Sequence, residues 1–213
     1  MALNLPQKSK NEMKEKILDK AKELFCQFGY KTVTMDEVAA QLGISKKTLY
    51  EVYDSKSKLI QAVVDSLQQD IDAEVEASID EKNNAIEQVF STMRHMDRLF
   101  GLMNSRQLQR ELKKYYFKIS QNLNYNIRER IKKYLYRNIQ QGIAEGLYRS
   151  ELDMQFMFHF FIGVVQNEVS DEIYPENKFT TKEIGENHME YIVRIMATPK
   201  GVEMLEKIIN PEK

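Results

Sequence analysis

Seven branched apolar residues, Ile119, Leu123, Ile127, Ile131, Leu135, Ile139 and Ile143, recur at intervals of four along one stretch of the 213-residue chain. The spacing predicts a long helix over about 115–145, ended by Gly146. A helix turns about 100° per residue, so each step of four drifts about 40° and the row winds most of the way round the cylinder. Such a helix is expected at the centre of a helical body, covered on several sides. The rest of the chain agrees: it has only 8 glycines and 4 prolines, and its apolar residues recur at helical rather than alternating spacing. The expected fold is all-α.

Further helices are expected at about 11–28, 35–42, 46–52, 56–80, 84–100, 105–113, 152–173 and 181–197, with a short terminal helix after Pro199-Lys200-Gly201. The first carries a buried stripe of Ile17, Ala21, Leu24, Phe25 and Phe28 and stops at Gly29. No run of about 18–20 apolar residues exists, so no membrane partner is expected. The N-terminus lacks the apolar stretch of a secretory signal, and a single cysteine, Cys26, leaves no internal disulfide, so a cytoplasmic location is expected. Cys26 beside the first helix's stripe reads as a passive core thiol, with a redox sensor as the alternative.

Residues 34–50 carry the most specific signal. Thr34 or Met35 opens an amphipathic turn in which Val38, Ala39 and Leu42 share a face; Gly43 permits a sharp turn, and Ser45 can cap the helix that follows. Ile44, Leu49 and Val52 supply apolar contacts, leaving Lys46, Lys47 and Thr48 at an exposed helix start, where backbone N–H groups attract phosphate. That is a DNA-reading helix-turn-helix. The net charge of −1 divides unevenly, +3 over residues 1–60 and −4 over the remainder, which suits a DNA-binding head on an acidic body.

From residue 11 to about 67 the chain resembles the N-terminal domain of the TetR/AcrR family of transcriptional regulators. The matching elements are Phe28-Gly29-Tyr30, Thr32-Val33-Thr34, Val38-Ala39, Leu42-Gly43-Ile44-Ser45, Thr48-Leu49-Tyr50 and Ser55-Lys56-Ser57-Lys58-Leu59, in order and at the right spacing. The resemblance implies an all-helical homodimer with a three-helix head for a palindromic double-stranded DNA operator. Its C-terminal body would bind an inducer and carry the dimer interface. The expected division is a head at 1–55 and a ligand-binding and dimerisation body at 56–213. The chain departs from the family's pattern at Glu51-Val52-Tyr53 and at Lys47, where a glycine or proline is frequent. Glu51 near DNA would repel phosphate, so it is expected to point away or to pair with a lysine.

The expected operator contacts are Thr34, Ser45, Lys46, Lys47, Thr48, Tyr50, Tyr53 and Lys56. The two lysines and Thr48 could reach base edges or phosphates. Tyr50 resembles the family tyrosine that donates to a phosphate, Thr34 and Lys56 flank the groove, and the Tyr53 ring could equally complete the head's core. In the body, Phe90, Met93, Phe100, Met103, Tyr115, Tyr116, Ile119 and Leu123 are expected either as core or as a deformable pocket for an unknown small-molecule effector. The 152–173 segment has large apolar groups on almost every side, so Met157, Phe160, Phe161 and Val164, with Ile192 and Ile195, are expected at a dimer interface.

Residues 110–137 hold nine basic side chains and 65–87 hold eight acidic ones. They read as attracting helix faces, as cations at the mouth of a pocket for an anionic apolar ligand, or as a second nucleic-acid or membrane surface. His95, His159 and His188 have no Glu or His at metal-ligand spacing, and no phosphate loop or serine elbow occurs, so neither metal, cofactor nor enzymatic activity is expected. The expected function is that of a repressor released by a small apolar effector, whose two recognition helices must lie about 34 Å apart to bind DNA. The long 56–80 helix would act as its lever. A ligand-independent nucleoid or adaptor module is the rival reading.

Overall fold

The structure, a computed structural model, describes residues 7–103, 106–166, 173–175 and 177–210, with side chains at 11–95, 107–164, 173–175, 177–180 and 182–210. Ten helices run through the described residues: α1 Gln7–Phe28, α2 Met35–Gln41, α3 Lys46–Val52, α4 Lys56–Ser78, α5 Ala85–Met103, α6 Arg106–Tyr115, α7 Phe117–Ala144, α8 Met154–Gln166, α9 Thr181–Met196 and α10 Pro199–Ile209. Two compact units contain them, Met1–Asp72 with Phe100–Leu123, and Ala73–Leu99 with Asn124–Lys213.

The core of the first unit gathers Ile17, Ala21 and Phe25 of α1, Val38 of α2, Leu49 of α3, and Leu59, Ile60 and Val63 of α4, closed by Leu108 and Leu112 of α6 and Ile119 of α7. Phe28, expected in the buried stripe, is 48% exposed. The chain leaves the helix at Gly29, whose φ of +87° suits a residue without a side chain, and Tyr30 packs on Phe25 instead, ring centroids 5.4 Å apart. Cys26 is half-buried, and burial pushes its thiol pKa up.

In the second unit Ile86 and Phe90 of α5, Leu135 and Ile139 of α7, Met157 of α8, Ile192 and Met196 of α9, and Leu205 of α10 form the core. A polar seam crosses it. The Asn138 amide donates to the Ala85 carbonyl at 2.7 Å and accepts from the Tyr148 hydroxyl at 3.2 Å, while the Tyr134 hydroxyl donates to Thr92 at 3.0 Å. In buried polar atoms that find partners in this way the hydrogen bonds offset the loss of hydration, and they favour one packing arrangement.

Two further expectations need correction. The helix expected from 115 is divided at Tyr116: α6 ends at Tyr115 and α7 begins at Phe117, with Tyr116 turned toward Tyr30 at a centroid distance of 6.5 Å. The middle of α7 is not covered on several sides, since Tyr125 is 65% exposed and Ile127 and Ile131 are only half-buried. One apolar residue in four, among Asn124, Asn126, Arg128, Glu129, Lys132 and Lys133, makes a stripe too narrow to bury both flanks.

Candidate nucleic-acid interface

The turn between α2 and α3 is built by its caps. Thr34 opens α2 with a reciprocal box: its hydroxyl accepts from the Glu37 amide at 3.2 Å and its own amide donates to the Glu37 carboxylate at 2.7 Å, which lowers that carboxyl's pKa. Gly43, at φ +64°, turns the chain, and the Ile44 amide bonds to the Ala39 carbonyl at 3.1 Å. Ser45 then caps α3 by accepting from the Thr48 amide at 3.0 Å. Fully buried Leu49 holds α3 on the core, so the helix start is rigidly presented.

Of the eight expected contact residues, Lys46, Lys47 and Tyr50 stand exposed on α3. The Lys46 ammonium pairs with Asp36 at 2.7 Å, and that hydrogen bond raises its pKa. Lys47 pairs more loosely with Glu51, at 3.9 Å, so the carboxylate that departs from the family's pattern has a lysine partner one turn away. The Thr34 and Ser45 hydroxyls are engaged in capping, and the Thr48 hydroxyl lies 2.8 Å from that of Ser45. Tyr53 is buried, its hydroxyl without a hydrogen-bond partner among the described residues, and burial raises its pKa. Lys56 is half-buried, which lowers its pKa, and its ammonium donates to the Lys31 carbonyl at 3.2 Å.

Lys31 and Glu111 are neighbours beside α2 and α3 that sequence reasoning missed. The Glu111 carboxylate accepts from the Lys31 amide at 2.9 Å and from the Gln107 side chain at 3.0 Å. A Cβ on Gly29 would lie 2.9 Å from both its oxygens. Eighty residues separate these partners, so no local pattern signals their meeting.

The expected pocket residues divide between the two units. Phe90 is buried and Met93 partly buried in the second unit's core, whereas Tyr116, Ile119 and Leu123 pack in the first, where Tyr115 is exposed. The side chains of Phe100 and Met103 lie outside those described. An open cleft of about 340 Å³ is lined by Glu81, Lys82, Asn83, Asn84, Glu145, Leu147, Lys200 and Met204, none of them an expected pocket residue. Among the expected interface residues, Met157 and Ile192 are buried within the chain's own core, Phe161 and Val164 are half-buried, and Phe160 and Ile195 are exposed.

No group of three His, Cys, Asp or Glu side chains among the described residues could hold a metal ion. His95 Nδ1 lies 2.9 Å from the Ser91 carbonyl, the His159 ring lies tilted beside that of Phe158, centroids 5.3 Å apart, and His188 Nε2 lies 2.7 Å from the Tyr174 hydroxyl. No helix among the described residues is long and apolar enough to cross a membrane.

Residues 17–63 match the family of bacterial regulatory proteins named for tetR. The chain is 32% identical over 181 residues to the uncharacterized HTH-type transcriptional regulator YvaF of Bacillus subtilis, covering 82% of this chain and 90% of that protein. Over 54 residues, 25% of this chain and 29% of the other, it is 37% identical to IcaR of Staphylococcus epidermidis, the HTH-type negative transcriptional regulator of the icaADBC biofilm operon. A TetR-family transcriptional regulator from Marinobacter aquaeolei shares the fold, with a TM-score of 0.70 at 20% identity over 92% of this chain and 96% of that one.

Proposed function

Because this chain belongs to the TetR family of bacterial transcriptional regulators, we propose that it binds a palindromic operator as a homodimer, represses transcription there, and is released by a small apolar effector with an acidic end. The observation that carries the DNA reading is the start of α3, where Lys46, Lys47 and Tyr50 stand exposed on a helix anchored by fully buried Leu49. A helix so presented can enter the major groove with its first turn on base edges, while Thr34, Ser45, Thr48 and Lys56 flank it as backbone or positioning contacts and Tyr53 supports it from the core. Lys56 has only to exchange a carbonyl for a phosphate. Repression is supported by the negative regulator IcaR among the relatives. A regulator of this kind works in the cytoplasm, beside the chromosome.

The second unit supports the effector reading. Its core is rich in aromatic and thioether groups, which reshape readily around a ligand. The Lys132 ammonium sits 5.9 Å over the rings of both Tyr136 and Phe158, a cation beside apolar surface that suits a carboxylate with an apolar tail. The division into a head at 1–55 and a body at 56–213 rests on the helix-turn-helix ending at α3. The covalent continuity of α4 makes that helix the lever by which an effector would alter the spacing of two heads.

The test begins with selection of duplexes from a random pool by the full-length protein, followed by thermal-shift screening of acyl and aromatic acids beside cationic and neutral apolar compounds. An enriched palindrome and an acid that both raises the melting temperature and weakens operator binding about 5–150-fold are expected. Failure to enrich any sequence sinks the DNA reading, and stabilisation by cations alone sinks the acidic effector.

A further inference from the structure

We propose that Lys31 together with the α6–α7 junction forms a second DNA surface, a platform for the phosphate backbone flanking the stretch read by α3; this rests on the DNA-binding reading above. Three aromatic residues follow one another at the junction, Tyr115-Tyr116-Phe117. Tyr116 turns inward on Tyr30, whereas Tyr115 and Phe117 are 44% and 59% exposed. Two ammonium groups flank the Tyr115 ring, that of Lys31 at 5.5 Å and that of Lys114 at 5.4 Å from its centroid. Both lysines are exposed, and neither has a carboxylate partner among the described residues, in contrast to Lys46 and Lys47. Lys118, at the start of α7, is also exposed.

Helix electrostatics explain only part of this arrangement. Lys113 and Lys114 lie in the last turn of α6, where cations offset the unpaired carbonyls. Lys31 has no such reason to be there, since it comes from the turn after α1 and is held in place through its backbone. Its amide donates to Glu111 and its carbonyl accepts from Lys56, leaving the side chain free to lie on Tyr115. The Glu111 carboxylate is engaged with that amide and with Gln107.

The platform continues from the proposed operator contacts within one compact unit. Lys31 precedes the α2 cap, Thr34, by three residues and touches Lys56 at the start of α4. Duplex DNA presents a phosphate every 3.4 Å or so along each strand. A line of cations running from Lys56 through Lys31 to Lys114 therefore suits a polyanion that extends past the recognition helix, and the ring between two lysines keeps both ammonium groups at its surface. The bases under the platform would not be read, because contacts to phosphate carry no sequence information.

The experiment uses the full-length protein and the duplex it selects from a random pool, made flush with the palindrome or extended by about six base pairs, roughly 20 Å, on each side. The wild type should bind the extended duplex several-fold more tightly at low salt. Lys31→Ala and Lys114→Ala should abolish that gain while keeping wild-type affinity for the flush duplex and wild-type base preference. On the extended duplex the slope of log K against log salt should fall by about 0.9 for each phosphate that is no longer neutralised, so by about 2 for a dimer. Lys114→Gln, which keeps the stem over the ring, replaces Lys114→Ala if that variant fails to fold. Variants that respond to flank length and salt as the wild type does overturn the proposal, as does equal weakening on both duplexes. If the wild type selects no DNA, the DNA-binding reading itself has failed; if it selects DNA but gains nothing from flanks, only the platform has.

Discussion

Each lysine at the start of α3 has an acidic neighbour, Asp36 for Lys46 and Glu51 for Lys47. Exposed ion pairs of this kind are weak and screened by salt, so a guanine edge or a phosphate can displace the carboxylate. Lys46→Ala or Lys47→Ala should therefore change the preference at one or two base pairs by about tenfold, the size of one good base contact. Tyr50→Phe should weaken binding to every sequence alike, because its hydroxyl is assigned to a phosphate. Titrations on matched and mismatched duplexes separate the two classes, and equal, sequence-independent losses for both lysines would reduce them to backbone anchors. At this scale the sequence was legible where the chemistry is local. Thr34, Gly43 and Ser45 act within three or four residues of themselves, whereas nothing near Lys31 announces Glu111, and nothing near Lys46 announces that Asp36 of the preceding helix will reach it.

Helix positions followed from periodicity and caps, but close approach between elements did not. The last helix, α10, begins at Pro199 under a cap from Thr198, whose own amide bonds to the Leu147 carbonyl at 2.9 Å. That contact brings Gly201 so near that a Cβ there would overlap the Leu147 carbonyl oxygen, and a Cβ on Gly142 would overlap the ring of Tyr148. Gly201→Ala and Gly142→Ala should each destabilise the protein by about 1–3 kcal/mol, since backbone or a hydrogen-bonded ring must shift. Gly163 and Gly185, also within helices, have nothing within 4 Å of such a Cβ, and alanine there should be neutral or stabilising by up to about 1 kcal/mol. Urea unfolding of the four variants checks this. A Gly201→Ala protein as stable as the wild type would mean that α10 docks less closely than the structure has it.

On the scale of the whole molecule, the exposed apolar groups of α8 and α9 are where the proposed dimer interface is tested. Phe156 and Phe160, four residues apart on α8, are 66% and 36% exposed; Tyr191 and Ile195, four apart on α9, are 57% and 43% exposed. Spacing by four places each pair on one helix face. Phe160→Asp or Ile195→Asp should give folded monomers that no longer bind a palindrome tightly. Met157→Asp should unfold the second unit instead, because it buries an unpaired carboxylate in the chain's own core. Sedimentation and circular dichroism distinguish these outcomes, and a dimer that survives both surface charges would move the interface elsewhere.

The sequence by itself determined the all-α class, most helix boundaries and the helix-turn-helix, because each depends on interactions reaching no further than one or two turns: apolar spacing, a capping hydroxyl, a glycine at positive φ. It also carried the family, through consecutive matches across residues 28–59. Only the tertiary structure decided which apolar residues go inside. Phe28 and Phe160 are as apolar as Phe25 and Phe90, yet the first pair is exposed and the second buried, since burial depends on what another segment brings to that face. The break at Tyr116 was decided in the same way. A row of apolar residues is compatible with one unbroken helix, yet α6 ends at Tyr115 and α7 begins at Phe117, where the Tyr116 ring meets Tyr30, a residue 86 positions away.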